Sequence, residues 1–464
     1  MTVAHSDKRM RFGTRRGRPR PVRVAVAAIS AGVLLLGAAA PASAAPLDDG
    51  LWYFDGASIG QAHADGWTGE GVTIAVLDSP INTDLPTLEN ANIEVREPSF
   101  CFGPDGEPLP ATSSDLSGGS AAYHGSNVAS LITGTGDGFP GQTGMKGVAP
   151  GADLLYYAVS EFDELVVGGE LISCEDADGN LIGDRAVNDA MNEAMDAGAD
   201  IISISSSFSA GVFVDDAYMR ALREGVVVLG GVDNTDEIRV SMGFPAGANG
   251  AIGVQAADAT GTIADTEGRP NVDPNTAVIA PGIGILTQGF LDGQVAGEEP
   301  NWERQVLANG TSLATPIAAG YLALAMQKWP DATGNQMIQS LLRNTGGENH
   351  ELSGDPANLI GYGLVSATGM LKGDPSGYPD ENPLITDSET AIPTLDEITA
   401  AMSASPEPTA SPSPSPDAPV VDADGDDLPV VGIIVGIAVA ALLLIGALVL
   451  VVLVLVRRSR GEAA

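Results

Sequence analysis

Positive charge is scarce in this chain. Its 464 residues include 22 Lys and Arg against 60 Asp and Glu. Eight of the basic residues precede residue 24 and three follow residue 456, which leaves eleven for everything between. So acidic a surface repels nucleic acid and anionic lipid headgroups, and nucleic-acid binding is excluded on that ground. The acidity itself reads as solubility. Histidine is scarcer, at four, and cysteine scarcer again, at two: Cys101 and Cys174. Two cysteines allow one pairing at most. There is no internal repeat. The one stretch with a metal-loop flavour, CEDADGN at 174–180, lacks the downstream glutamate of a calcium loop and reads as an acidic hairpin turn. Neither metal nor cofactor is expected.

What is present starts at the two ends. A basic region precedes an apolar run at 24–40, and Ala42-Ser43-Ala44 follows. That pattern predicts a secretory signal peptide over 1–44, cut after Ala44, with an N-terminal membrane anchor as the alternative. Near the other end, 430–456 is apolar without a break, preceded by four aspartates and followed by Arg457, Arg458 and Arg460. The run is long enough to cross the roughly 30 Å hydrocarbon core as a helix. Its basic side predicts a cytoplasmic tail at 457–464 and a body on the extracytoplasmic face of the cell membrane. A Pro-, Ser- and acid-rich stretch, expected over 373–429, reads as an extended spacer.

Between these lies a body at 45–372. Short β-branched runs at 72–78, 154–159, 200–207, 225–232, 251–257 and 277–280 read as buried parallel strands. Helix-period segments such as 186–197 and 215–224 alternate with them. The alternation predicts an α/β fold of three αβα layers around a mostly parallel sheet, with sites at the carboxyl ends of strands. A second apolar run, 313–327, is too short for a membrane span and reads as a buried helix. It opens on the polar knot Asn309-Gly310-Thr311-Ser312 and carries Pro316, placed in or just after the first turn, where a missing N–H costs little.

Three polar residues stand at strand ends or helix starts: Asp78 in IAVLDSP, His124 in YHGSNVAS and Ser312 in NGTSLATP. His5 falls in the leader, and His63 and His350 lie in ordinary polar surroundings. A serine is a poor nucleophile until a histidine takes its proton, and a carboxylate must then hold the imidazole and stabilise its charge. VLDSP, HGSNVAS and NGTSLATP, in that order, resemble the three signature blocks of the subtilisin-like serine proteases. KGVAPGADLLYYAV, GADIISISSS, VVVLGGVDN and AVIAPGIGIL resemble further family segments, and the similarity runs over about 52–372.

The resemblance implies a subtilisin-like fold and a serine endopeptidase acting on polypeptides. Asp78 would orient His124, His124 would serve as general base then acid, and Ser312 would be the nucleophile. Asn234 and the Ser312 N–H would bind the oxyanion, and Ser205, Ser206 and Ser207 would lie along the substrate backbone. The family pattern is broken at Pro80, at Ser126-Asn127, at Ser206-Ser207-Phe208 and at Asp233. The alternative within the fold is a catalytically silent peptide-binding or scaffold protein. LWYFDGASIGQAHADGWTGEG already resembles the domain's own start, which leaves no room for an inhibitory propeptide. That feature, the spacer and the C-terminal apolar run resemble the mycosins, membrane-anchored subtilases of actinobacterial type VII secretion, and imply a secretion-complex partner. On the outer face, Cys101 and Cys174 are expected as a disulfide, against two separate buried thiols.

Overall fold

A computed structural model describes residues 49–103, 106–116, 122–162, 171–173, 183–208, 216–233, 243–263, 273–290, 299–352 and 360–403. Its strands are β1 (Thr73–Asp78), β2 (Ile93–Val95), β3 (Asp153–Ala158), β4 (Ser160–Phe162), β5 (Leu171–Ser173), β6 (Ile201–Ile204), β7 (Val227–Gly231), β8 (Ile252–Ala257), β9 (Val278–Pro281), β10 (Ile283–Phe290) and β11 (Asn301–Asn309). Its α-helices are α1 (Trp52–Asp55), α2 (Ile59–Ala64), α3 (Tyr123–Thr133), α4 (Gly183–Asp196), α5 (Asp216–Glu224), α6 (Thr311–Lys328), α7 (Gly334–Arg343), α8 (Ala367–Lys372) and α9 (Leu395–Ser403).

Seven strands form one sheet in the order β2-β3-β1-β6-β7-β8-β9, with every neighbouring pair parallel. The strands are apolar because both faces are covered. Ile74, Val76, Tyr156 and Leu229 face a core shared with α3 and α6. Ala75, Leu77, Tyr157 and Ile204 face a second core closed by α4 and α5. The three-layer αβα expectation is met.

α6 is the axis of the first core. It packs on β6 to β9 and on α3, α7 and α8. Fourteen of its residues are buried, which is why its sequence shows no polar stripe. Pro316 is the helix's sixth residue, just after the first turn. Its missing N–H therefore leaves the Ser312 carbonyl without the usual donor four residues on.

Two features were not foreseen. β10 and β11 form an antiparallel hairpin, with register breaks at Ile283/Ile285 and Gln288/Phe290, that leads straight into α6. The stretch at 374–403, which composition assigns to the spacer, is docked on the body. Asn249, 6% exposed, is the hub of that docking. Its amide accepts from Thr386 N–H at 2.8 Å and donates to the Thr386 and Pro393 carbonyls, and its own N–H donates to Ile392 O. Thr394 and Glu397 cap α9 reciprocally, and Ile398 is 2% exposed as α9 packs on α5. The spacer boundary drawn at residue 373 thus differs from the structure: specific hydrogen bonds hold a segment whose composition alone would not build a core.

The chain divides into Met1–Ala404 and Ser405–Ala464. The expected leader at 1–44, the apolar run at 430–456 and the tail lie outside the described residues, as does the expected spacer from residue 404 on. Among the described residues, no helix is long and apolar enough to cross a membrane.

Candidate active site

Parallel register brings three polar corners to one edge of the sheet. Asp78, the last residue of β1, is opposite Ala158. Ile204, the last residue of β6, pairs with Leu77 on one side and Gly230 on the other. Ser205, Ser206 and Ser207 therefore emerge between Asp78 and the β7 end that leads to Asn234.

Asp78 is fully buried. Its Oδ1 lies 2.7 Å from His124 Nδ1 and accepts the Ser79 N–H at 2.7 Å and the Ser79 hydroxyl at 3.2 Å. Its Oδ2 is buried with no hydrogen-bond partner among the described residues. His124 is the second residue of α3, and its side chain is 13% exposed. With Nδ1 turned to Asp78, Nε2 is the ring nitrogen available for proton exchange.

The turn after β1 and the start of α3 are locked together. Gly125 N–H donates to Ser79 Oγ at 3.1 Å, which caps one of the orphan N–H groups of the helix start. Tyr156 on β3, fully buried, donates its hydroxyl to Ser79 O at 2.6 Å. Burial first, and the Asp78 charge second, push the Tyr156 phenol well above its ordinary pKa, so it stays a neutral donor. A Cβ at Gly125 would fall 1.8 Å from the Tyr156 hydroxyl and within 2.8 Å of the Ser79 and Pro80 carbonyls. The residue after His124 must therefore be glycine.

Ser312 is half-buried, the second residue of α6, where unpaired N–H groups and the positive helix end favour a developing anion. The knot before it is fastened by main chain and side chains together. Gly310 N–H donates to Gly282 O at 2.8 Å, and Gly284 N–H to Asn309 Oδ1 at 2.7 Å. Thr311 Oγ1 donates to Val232 O at 2.7 Å, tying the knot to the β7 corner. A Cβ at Gly310 would stand 3.0 Å from Ser312 Oγ, and one at Gly282 would meet Gly310 O at 2.7 Å. α6 packs directly on α3, the helix that carries His124.

The remaining sequence candidates divide. Ser205 and Ser206 are buried, and their hydroxyls have no hydrogen-bond partner among the described residues; Ser207 is half-buried. Phe208, where the family pattern has glycine, exchanges two 3.0 Å main-chain bonds with Phe244. Asn234 lies outside the described residues. Asp233 before it gives its N–H to Asp273. Burial raises Asp273 above the ordinary carboxylate pKa, and the Asp233 charge adds to this against the N–H groups it accepts. Cys101 is buried and Cys174 lies outside the described residues. His63 bonds to Val148 O and His350 to Thr345, far from the constellation in role. Among the described residues no group of acids, histidines or cysteines could hold a metal.

Two residues escaped the sequence reading. Tyr156 looked like an ordinary core tyrosine, and nothing in its neighbourhood signals a target for its hydroxyl. Asn127, read only as a departure from the histidine block, clamps α3 to β10. It donates to Gln288 O at 3.1 Å and accepts Gln288 N–H at 2.7 Å. A polar residue on the apolar face of a helix was the available signal.

Comparison with known proteins follows this geometry. Fervidolysin of Fervidobacterium pennivorans is 29% identical over 364 residues, covering 75% of this chain and 48% of its own length. The chain thus spans about half the length of that relative. Among solved structures, a protease of Pseudoalteromonas arctica superposes with a TM-score of 0.50 at 23% identity, covering 70% of this chain and 98% of that one. MycP3, a protease of the type VII (ESX-3) secretion system, has a TM-score of 0.48 at 23% identity over 71% and 90%. The subtilase family profile matches residues 69–363, well over half of the sequence, and the chain belongs to the subtilase family.

Proposed function

We propose that this chain is a serine endopeptidase that hydrolyses polypeptides through Asp78, His124 and Ser312. The 2.7 Å contact between His124 Nδ1 and Asp78 Oδ1, on a helix packed against the one that opens with Ser312, carries the reading. Ser312 Oγ attacks the carbonyl carbon of the scissile bond while its proton passes to His124 Nε2. Asp78 steadies the imidazolium through Nδ1–H. The carbonyl electron pair moves to oxygen, where the Ser312 N–H and the Asn234 side-chain N–H receive it. The intermediate collapses, the amine leaves with the proton from His124, and an acyl-enzyme remains. Water, activated by the same histidine, releases the acid and restores Ser312. The substrate backbone lies beside Ser205, Ser206 and Ser207 as an added strand.

Ser312→Ala is expected to abolish amide hydrolysis by several orders of magnitude with the fold intact. Retained hydrolysis by the purified variant would defeat the assignment.

We further propose that 430–456 anchors the enzyme as one helix with its body outside the cell, and that Cys101 and Cys174 form a disulfide. The anchor rests on the apolar run and the arginines after it. Deleting 430–456 should release the protein from carbonate-washed membranes. The disulfide is supported by the burial of Cys101, by the absence of a free thiol among the described residues and by Cys174 being the one other cysteine. Spanning 73 positions, it would add roughly 3–5 kcal/mol in the chain-entropy view. Alkylation of both thiols in the exported protein would rule it out.

A further inference from the structure

We infer that Tyr156 is a positioning residue for the Asp78–His124 pair, standing in for a backbone donor that Pro80 removes. The inference rests on the triad reading above. An aspartate that ends a strand commonly secures the turn behind it by accepting the N–H two residues on. In this chain that residue is Pro80, which has none. The consequence is visible in the site: both Ser79 donors converge on Oδ1 of Asp78, and Oδ2 is buried with no hydrogen-bond partner among the described residues. Gly125 N–H to Ser79 Oγ and Ile81 N–H to Ala111 O also tie this turn, and the tilt of the Ser79–Pro80 peptide itself is set by what holds the Ser79 carbonyl.

Tyr156 supplies that fastening from the neighbouring strand. Its residue pairs with Val76 in the β1–β3 register, two before Asp78, so its side chain runs beneath the turn. The hydroxyl reaches Ser79 O at 2.6 Å in a fully buried setting. It occupies the space that a Cβ at position 125 would need, at 1.8 Å. One hydroxyl thus touches the turn after Asp78 and the backbone beside His124. It contacts neither substrate nor reacting atoms and acts through the geometry of the pair. A buried tyrosine hydroxyl usually finds an acceptor, and phenylalanine would fill the same volume without that need.

The test is a double-mutant cycle of Tyr156→Phe and Pro80→Gly in the full chain. Steady-state kinetics on a cleaved peptide are read together with the low-field proton resonance of the His124 Nδ1–H. Tyr156→Phe is expected to lower kcat about 10-fold, less than the hundredfold of a full ångström's misplacement, with KM changed less than about twofold. The low-field resonance should broaden. In the Pro80→Gly background, where the turn N–H is restored, the same change should cost less than about 3-fold. Equal losses in both backgrounds, or an unchanged kcat and resonance in Tyr156→Phe, would overturn the inference. If Tyr156→Phe melts below the assay temperature, Pro80→Gly alone decides. Its new donor to Asp78 should narrow the low-field resonance, and a resonance no narrower than in the wild-type protein counts against the inference. A wild-type protein that shows the resonance but hydrolyses nothing would sink the protease reading and leave the positioning measurable.

Discussion

The two halves of the site are fastened by different means. Around Asp78 and His124 the bonds come from side chains: the Ser79 and Tyr156 hydroxyls and the Asn127 amide. Around Ser312 one main-chain bond, Gly310 N–H to Gly282 O, stands beside Gly284 N–H to the Asn309 side chain and Thr311 Oγ1 to Val232 O, and the backbone at Gly282 packs too closely for a Cβ. Side-chain fastenings can be exchanged for one another, because a lost donor can be replaced from a neighbouring element. Main-chain fastenings at van der Waals contact leave no room for a substituent. This accords with the departures from the family pattern at Pro80, Ser126 and Asn127 on the acid–histidine half while NGTSLATP itself keeps its form, although Asp233 departs at the corner tied to the serine knot. The structure also resolves those departures individually, since Tyr156 holds the turn at Pro80 and Asn127 bridges α3 to β10.

The largest effect expected, on the serine half, is at the oxyanion donor. Asn234→Ala should lower turnover about 100- to 1,000-fold with KM nearly unchanged. Asp233→Gly, at the corner that Thr311 ties to the serine knot, should leave turnover equal or higher. Wild-type turnover in Asn234→Ala would move the oxyanion role elsewhere. Next come the glycines. Gly282→Ala forces a methyl within 2.7 Å of Gly310 O and should cost about 100-fold in turnover, the scale of an ångström's displacement. Gly310 itself has an extended backbone at φ 174° that any residue adopts, so Gly310→Ala should fold normally and lose activity through the 3.0 Å contact with Ser312 Oγ. Kinetics paired with melting curves separate the two. If both alanines are harmless, the contrast between the halves fails.

On the side-chain half, Asn127→Ala leaves the buried Gln288 N–H without its acceptor. It should cost about 1–3 kcal/mol of stability, with a smaller loss of turnover than either glycine variant. Denaturant titration beside kinetics checks both numbers. The smallest effect is expected at Asp273. Burial holds its folded pKa above the unfolded value, so the ionised form is disfavoured by folding at neutral pH. Stability from this group is present below the unfolded carboxylate pKa and is lost as pH rises through the folded one. Asp273→Asn should therefore be neutral or mildly stabilising at pH 7, with the gain vanishing in acid. A variant less stable than wild type at pH 7 would contradict that sign.

The strands were legible because burial on both faces leaves only apolar, β-branched residues, as in VTIAVLD and DIISI. The Asp78, His124 and Ser312 blocks stand out in the sequence because each places a polar residue where apolar sequence is expected. The expected strand at 200–207 ends at Ile204, the last residue paired with Leu77 of β1 and Gly230 of β7, so the serines beyond it leave the ladder. β11 was hidden because its side chains are all half-buried or exposed, in no regular alternation, and main chain does the pairing. The docked stretch at 374–403 was hidden because scattered polar side chains of the body, among them Asn249, Gln336 and Gln339, make its bonds, and no periodicity announces that. The Tyr156 hydroxyl was unreadable for the same reason: its target comes from a different strand.

The measurement that bears most directly on the account is fluorophosphonate labelling of the purified chain, with the modified residue located by mass spectrometry. The account predicts stoichiometric labelling on Ser312, lost in Ser312→Ala and strongly slowed in His124→Ala, because the serine is reactive only with its base in place. Labelling at another serine, or labelling of Ser312 at the same rate without His124, would contradict it.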